Sequence, residues 1–288
     1  MIAVRNATQR DRDDILSFCV NTFSWGDYIE QVWDLWLHDS QGKLFVAETE
    51  GKKVGLAHVA ACPDSKDTWL EGVRVHPSHR RSGLASALLG RMLEFGEEKG
   101  ATRALAIVAK NNAASQRMME RNGFSAISEW AYYSTGDPMD KRPSSARLAS
   151  ADELDAILEY LEASKIYELS AKTYVKAWHW YALDHASLKA LVSEGRVVIS
   201  GSPVAGMAVL NRRGYWNRKN ILQIVYLDSQ DEKVLGNLLA FATNLYLDEQ
   251  YERLHVLCQQ DEKMTSIIEG LEIQESEQFL LYSKVLNS

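Results

Sequence analysis

A short basic turn between a strand and a helix is the segment of this sequence best suited to binding a phosphate group. The strand 69–76 ends before a proline, and the turn that follows contains Arg80 and Arg81. A helix N-terminus presents unpaired N–H groups and the positive end of the helix dipole, which favour a diphosphate. Gly83 and Ala85 leave little bulk in front of these groups. The segment predicts a diphosphate site, with an ordinary basic turn as the alternative.

Glu71, on the preceding strand, is the candidate base. It lies at even spacing from Trp69, Val73 and Val75, so all four side chains are expected on one strand face. A carboxylate among apolar neighbours is expected to have a raised pKa, which suits proton removal near neutral pH. Glu71 could instead act through water, hold an ammonium group, or be an exposed strand glutamate.

The basic turn resembles the cofactor segment of the GNAT superfamily of acyl-CoA N-acyltransferases. Arg80-x-x-Gly83-x-Ala85 matches the family signature Arg/Gln-x-x-Gly-x-Gly/Ala, and the strand before it ends in Val-x-Pro. The segments 112–115 (Asn-Ala-Ala-Ser) and 122–124 (Asn-Gly-Phe) are similar to the second cofactor segment of the family. The resemblance covers roughly residues 1–135. It implies acetyl-CoA as co-substrate and no metal.

The resemblance also implies particular contacts. The backbone of Val73 and Val75 would pair with the pantetheine arm, and the amides of residues 81–86 would hold the diphosphate. The N–H of Val73 would polarise the thioester carbonyl, so the expected catalytic residues are Glu71 and Val73. The expected cofactor-binding residues are Val73, Arg74, Val75, Arg80, Arg81, Ser82, Gly83, Leu84, Ala85, Ser86, Asn112 and Ser115.

The implied reaction is direct attack of a primary amine on acetyl-CoA in a ternary complex. Leu70-Glu71-Gly72 resembles the corresponding stretch of aminoglycoside 6′-N-acetyltransferases, in which this glutamate lies in the acceptor site. Many family members have a tyrosine acid five residues before the phenylalanine of Gly-Phe. Met119 occupies that position here and cannot donate a proton. No acid is assigned, since a thiol with a pKa of about 8.5 is a tolerable leaving group.

The acceptor amine is expected between the turn 24–28 and the end of the central strand. Trp25, Asp27, Tyr28 and Glu30 offer aromatic surface and negative charge for a cation, together with Glu71. The alternative roles are structural: Trp25 would pack in the core and Asp27 would cap the next helix.

The order of strands and helices predicts two domains of one fold class. This class is α/β (α+β), with two GNAT-like domains that each contain a mixed, mostly antiparallel sheet flanked by helices. The elements repeat after about 140 residues, a period that indicates duplicated domains, and a Gly/Pro/Ser-rich linker spans residues 136–145. We expect a catalytic domain over 1–138 and a degenerate copy over 145–288 that serves as scaffold or acceptor pocket.

Two features of the second half carry predictions of their own. After the strand 221–227, the acids Asp228, Asp231 and Glu232 replace the phosphate signature and would repel a diphosphate. The region from Tyr174 to Ser193 is predicted to be helical, with aromatic residues at 174–181 in the helix core or lining a pocket.

Composition limits the classes of function. The chain has 288 residues, 46% hydrophobic and 25% charged, which is typical of globular proteins. A net charge of −7 argues against broad nucleic-acid binding. The sequence has neither a long apolar run nor a signal-peptide pattern, and its three cysteines lack metal or disulfide spacing. We therefore expect a cytoplasmic monomer or homodimer without nucleic-acid or membrane partners.

These observations leave alternatives to an N-acetyltransferase acting on a small-molecule or protein amine. A non-catalytic acyl-CoA-binding or regulatory protein is the main alternative, because Met119 replaces the usual acid and the second half lacks the signature. An aminoacyl or peptidyl transferase is disfavoured by the acidic charge and by the intact cofactor motif.

Overall fold

The computed structural model describes residues 2–20, 22–23, 26–62, 65–135, 140–214, 220–259, 261–271 and 273–286. The strands are β1 (Ile2–Asn6), β2 (Gly42–Thr49), β3 (Lys52–Ala61), β4 (Asp67–Val75), β5 (Arg103–Ala109), β6 (Ser125–Thr135), β7 (Arg147–Leu148), β8 (Thr173–Lys176), β9 (His179–Ala182), β10 (Val197–Ser200), β11 (Gly206–Asn211), β12 (Ile221–Ser229), β13 (Arg253–Gln259) and β14 (Gln274–Val285). The helices are α1 (Arg12–Cys19), α2 (Ile29–Leu37), α3 (Leu84–Glu98), α4 (Ala113–Arg121), α5 (Leu154–Ala163), α6 (Lys165–Leu169), α7 (His185–Ser193), α8 (Glu232–Asp248) and α9 (Glu262–Glu269).

The first compact unit comprises Met1–Val108, Asn112–Ala126 and Leu281–Ser288. Its strand order is β1-β2-β3-β4-β5-β14, antiparallel from β1 to β4 and parallel between β4 and β5. Gly55 of β3 faces α3, because a Cβ there would lie 3.0 Å from Leu88. His58, three residues later on β3, stacks on Trp36 of α2. Side chains an odd number of residues apart along a strand point to opposite faces. The two helices therefore cover opposite faces of β3.

The second unit comprises Ala109–Asn111 and Ile127–Leu280. Its strand order is β14-β6-β13-β12-β11-β10-β7, and α8 packs on β10, β11 and β12. β12 and β13 run parallel over Ile221–Ile224 and Arg253–Val256. Each unit thus contains a mixed, mostly antiparallel sheet flanked by helices, which confirms the predicted fold class.

The compact units differ from the sequence halves 1–138 and 145–288 mainly in two strands, apart from residues 109–111, which belong to the second unit. Residues 127–135 of β6 belong to the second unit, and residues 281–285 of β14 belong to the first. In the first unit, the Leu286 N–H donates to the Thr102 carbonyl at 2.9 Å, and Lys284 Nζ donates to the Asn122 carbonyl at 2.9 Å. The C-terminal segment of the chain therefore completes the sheet of the first unit.

The predicted helix over Tyr174–Ser193 is wrong in its first part. β8 and β9 form a hairpin there, and only α7 is helical. Ala177 and Trp178 have φ values of +52° and +65°, the left-handed pair that a tight hairpin turn requires. Aromatic residues suit strands as well as helix cores, so composition did not decide between them.

Candidate active site

β4 and β5 separate beside the candidate base. Their parallel pairing joins Asp67–Trp69 with Arg103–Leu105, whereas β4 continues to Val75. The residues of β4 from 70 to 75 therefore extend beyond the segment that is paired with β5. Main-chain groups along such an edge can pair with an extended ligand.

α3 begins with a left-handed turn and without a side-chain cap. Gly83 is its N-cap residue, with φ of +86°, and Arg81 has φ of +63°. A Cβ on Gly83 would meet no atom within 4 Å, and residues 80–83 are exposed. The first N–H groups of an α-helix have no acceptor within the helix. The turn therefore has the exposed amides and open space that fit a diphosphate.

Gly72 forms a β-bulge between the candidate base and this turn. The register of β4 with β3 shifts by one residue between the pairs His58–Glu71 and Leu56–Arg74. Gly72 itself has φ of +68°, a conformation that glycine adopts without strain. A Cβ there would lie 2.6 Å from the ring of Trp36, so a larger residue does not fit.

The bulge changes which side chains share a face. On β4, Glu71 lies opposite His58 and Arg74 lies opposite Leu56. His58 and Leu56 are two positions apart on β3 and share a face. Their partners Glu71 and Arg74 therefore lie on that same face. Val75 lies on the other face. The prediction that Trp69, Glu71, Val73 and Val75 share one face is therefore wrong, because one extra residue reverses the alternation.

His58 contacts the Glu71 carboxylate, and the sequence analysis did not identify it. Its Nδ1 lies 2.9 Å from Glu71 Oε1, and its Nε2 lies 3.4 Å from Asp39 Oδ2, an ion-pair distance longer than an ordinary hydrogen bond. The imidazole is 1% exposed and stacks on Trp36 at 4.6 Å. Burial opposes its ionisation, but the contacts and negative charges of Asp39 and Glu71 outweigh burial and raise the pKa of His58.

Arg74 and Asp27 form a buried ion pair on the same face as Glu71. Asp27 accepts hydrogen bonds from Arg74 Nε at 2.7 Å and Nη2 at 3.0 Å, and from the Ile29 N–H at 3.2 Å. The guanidinium lies over the rings of Phe23 and Tyr28. Burial raises the pKa of Tyr28 to about 12. The cation that Asp27 contacts here is therefore Arg74, and its role toward an acceptor remains a prediction.

The other candidate residues have the following positions. Asn112 is the N-cap of α4, where its side chain accepts a hydrogen bond from the Ser115 N–H at 3.1 Å. Met119 is buried, at 3% exposure. Glu30 is exposed and pairs with Arg12 at 3.1 Å. Trp25 lies outside the described residues.

The second unit also contains a bulge. A one-residue register shift between β11 and β12 places it at Val225, next to the pair Leu210–Ile224. These two residues belong to the apolar core that includes side chains of α8, whereas His58 and Glu71 lie on the sheet face opposite α3. The two pairs are therefore not equivalent.

The start of α8 also differs from that of α3. Asp231 is its N-cap residue and accepts a hydrogen bond from the Val234 N–H at 2.8 Å. A cavity of about 610 Å³ at this helix end is lined in part by Asp231, Glu232 and Asp261. Because a carboxylate already caps the helix, this end disfavours a diphosphate.

Asp228, predicted to add negative charge to this turn, is instead buried at 1% exposure. It accepts hydrogen bonds from the hydroxyls of Tyr160 at 2.8 Å, Ser164 at 2.5 Å and Tyr226 at 2.9 Å. Burial raises its pKa. The residue therefore joins α5, the start of α6 and β12 inside the second unit.

We expect Asp228→Ala to lower the free energy of unfolding by roughly 2–5 kcal/mol, because it leaves three hydroxyls, two of them buried, without their acceptor. Denaturant unfolding followed by circular dichroism measures this loss. Glu232→Ala, which removes an exposed carboxylate four residues later, should change stability by less than about 0.5 kcal/mol. Equal unfolding midpoints for the two variants would contradict the structural role of Asp228.

The sheet, the bulge, the strand separation and the start of α3 together agree with an acetyltransferase fold. Residues 8–124 match the model of the GNAT acetyltransferase family. The match confirms, over these residues, the resemblance to the GNAT superfamily that the sequence motifs predicted.

Among characterised relatives, a histidine N-acetyltransferase from Oreochromis niloticus is 31% identical over 83 residues, 29% of this chain and 25% of that protein. An aminoglycoside N(6′)-acetyltransferase type 1 from Salmonella typhimurium (strain LT2) is 28% identical over 96 residues, 31% of this chain and 66% of that enzyme. The chain therefore matches only about a quarter of the length of the first relative.

Solved structures show the fold over the whole chain. A GCN5-related N-acetyltransferase from Sphaerobacter thermophilus has a TM-score of 0.65 at 12% identity and covers 100% of this chain and 96% of its own. A tandem GNAT protein from the clavulanic acid biosynthesis pathway has a TM-score of 0.55 at 11% identity, with coverages of 100% and 99%. The tandem arrangement inferred from the repeated elements is confirmed.

The described residues also bear on metal sites and on membrane spans. Within the described ranges, no cluster of three or more His, Cys, Asp or Glu side chains has an arrangement that could hold a metal ion. No helix in the same ranges is long and apolar enough to cross a membrane.

Proposed function

We propose that the chain transfers an acetyl group from acetyl-CoA to a primary amine by direct attack in a ternary complex. The observation that supports this most directly is the position of Glu71, just past the point where β4 separates from β5. The same strand leads through an open glycine turn into α3. An extended pantetheine arm can pair with β4 while its diphosphate binds the amides of residues 81–86.

In this proposal the chemistry depends on two groups of β4. Glu71 receives the amine proton or holds the ammonium before its deprotonation. The N–H of Val73, which directly follows the bulge, donates to the carbonyl oxygen as negative charge develops there. Met119 supplies no proton, so the thiolate leaves without an assigned acid.

The acceptor is proposed to be a cationic small molecule or a protein amine that binds on the Glu71 face of the sheet. Trp36 and Tyr28 lie on this side, with ring centroids 5.9 Å apart. The relatives described above are named for amine acceptors, histidine and an aminoglycoside. We propose that the sequence half 145–288 is a scaffold or part of the acceptor pocket, and that the protein is a cytoplasmic monomer or homodimer.

The test is acetyl transfer from acetyl-CoA to a panel of amines. The panel contains histidine, 2,4-diaminobutyrate, an aminoglycoside with a free 6′-amine and a peptide with a free N-terminus. Thiol release and the mass of the product are both measured, because thiol release alone also reports hydrolysis. Acetyl-CoA binding without any acetylated product would favour the non-catalytic alternative.

A further inference from the structure

Three ionisable side chains form a continuous contact chain that the proposed reaction uses only at one end. Asp39 contacts His58 Nε2 at 3.4 Å, and His58 Nδ1 contacts Glu71 Oε1 at 2.9 Å. We infer that His58 is a positioning residue for the amine site: it fixes the orientation of the Glu71 carboxylate and is itself held by Asp39. This inference rests on the proposed function, because Glu71 is assigned there to the amine.

The backbone provides space for this arrangement at two glycines. A Cβ on Gly42 would contact Asp39 and would lie 2.8 Å from His58 Nε2. A Cβ on Gly72 would lie 2.6 Å from the Trp36 ring that stacks on His58. Gly42 and Gly72 are far apart in sequence, and a side chain at either position would displace Asp39, His58 or Trp36. The imidazole is therefore closely packed between Asp39, Trp36 and Glu71.

The buried position of these polar groups has an energetic cost. A buried imidazole between two carboxylates brings a desolvation cost that apolar side chains avoid. Polar groups kept at such a cost next to the strand separation indicate a role in the chemistry of the first unit.

Charge balance indicates what the arrangement does. The face includes three carboxylates, Asp27, Asp39 and Glu71, and two basic groups, Arg74 and His58. With His58 protonated, three negative and two positive charges give a net charge of −1, which one ammonium group balances. Asp39, between α2 and β2, and Glu71 on β4 face the imidazole directly, and the Arg74–Asp27 pair lies on the Glu71 side.

A protonated His58 can donate from both ring nitrogens, which two ionised carboxylates require. It would keep Glu71 as an anchored carboxylate that binds the acceptor ammonium. The raised pKa of His58 also has a defined sign for stability. The stabilisation that protonated His58 contributes to the free energy of unfolding is present below pH about 6.5. It is lost as the pH rises through the raised pKa of His58.

A titration without substrates tests the coupling. Nitrogen-15 NMR of the full chain should show His58 protonated at both nitrogens above the pH at which an ordinary histidine loses its proton. Asp39→Asn should lower the titration midpoint. Asp39 has a 26% exposed side chain, so this variant is expected to fold. A midpoint at the ordinary value in the wild type, or no shift in Asp39→Asn, would overturn the inference.

Kinetics test the positioning role. His58→Gln and Asp39→Asn should each raise KM for an accepted amine roughly 10- to 100-fold, the loss expected for a charge-assisted contact. KM for acetyl-CoA should stay within about twofold. His38→Gln is the matched control, because His38 is exposed and neighbours Asp39 in sequence. An unchanged amine KM in both variants would overturn the inference.

The two hypotheses fail in different ways. If no amine is acetylated, the proposed function is wrong, yet the NMR titration still supports or overturns the coupling of Asp39, His58 and Glu71. If amines are acetylated and His58 titrates normally, the proposed function stands and the inference about His58 is wrong.

Discussion

Replacing Gly83 with aspartate is expected to abolish binding of coenzyme A by the first unit. Gly83 starts α3 with φ of +86°, and a side chain there would enter open space. Aspartate tolerates the left-handed conformation at a cost of about 1–2 kcal/mol, and its carboxylate can cap the helix. The fold should therefore persist. The new charge would occupy the position proposed for the diphosphate, and repulsion at about 4 Å would weaken binding roughly 100-fold or more.

Calorimetric titration with coenzyme A measures this loss, and Gly100→Asp is its control. Gly100 follows the other end of α3, is exposed, has φ of +76°, and offers open space to a Cβ. The control thus introduces the same charge and nearly the same backbone strain about 22 Å away, given the rise of 1.5 Å per residue. Unchanged affinity in Gly83→Asp would contradict the diphosphate site.

The sequence predicted the turn and the start of α3 well because that signal is local. A helix start, small residues and adjacent arginines occur within seven positions, 80–86, and the structure places Gly83 at the N-cap. Local spacing likewise placed α3, and the order of elements predicted both mixed sheets. Such features depend on near neighbours in the chain, which sequence patterns record directly.

The Asp39–His58–Glu71 contacts depend instead on strand register. His58 faces Glu71 because β3 and β4 pair in one particular register, and neither residue type nor spacing specifies that register. Gly72, in Leu70-Glu71-Gly72, was the available signal, since an isolated glycine within a strand often marks a bulge. A bulge at Gly72 would have predicted the exchange of faces beyond Glu71.

The error at β8 and β9 has a similar origin. Tyr174, Trp178 and Tyr181 fit an aromatic helix face as well as two short strands. The turn consists of Ala177 and Trp178, both with positive φ, although neither residue favours that conformation. Tertiary packing therefore determines the hairpin: Trp180 is fully buried and contacts Trp130 with ring centroids 5.5 Å apart.

Replacing Glu71 with glutamine is expected to slow acetyl transfer while sparing the affinity for coenzyme A. Glutamine has nearly the same shape, and its side-chain oxygen can still accept a hydrogen bond from His58 Nδ1, which lies 2.9 Å from Glu71 Oε1. The variant therefore removes the charge and the basic group but preserves the local packing. Loss of a positioned acid–base group lowers rates by about 10²- to 10⁴-fold. We expect kcat/KM for the amine to fall within that range.

Steady-state kinetics between pH 6 and 9, with calorimetry for coenzyme A, provide the measurement. Glu97→Gln makes the same chemical change at an exposed position of α3 and should leave both quantities unchanged. The distribution of the effect distinguishes the two roles of Glu71. A loss mainly in KM for the amine indicates an anchor for the ammonium, in agreement with a protonated His58 beside it. A loss mainly in kcat that diminishes at high pH, where the free amine is abundant, indicates a base. Wild-type turnover at every pH would remove Glu71 from the reaction.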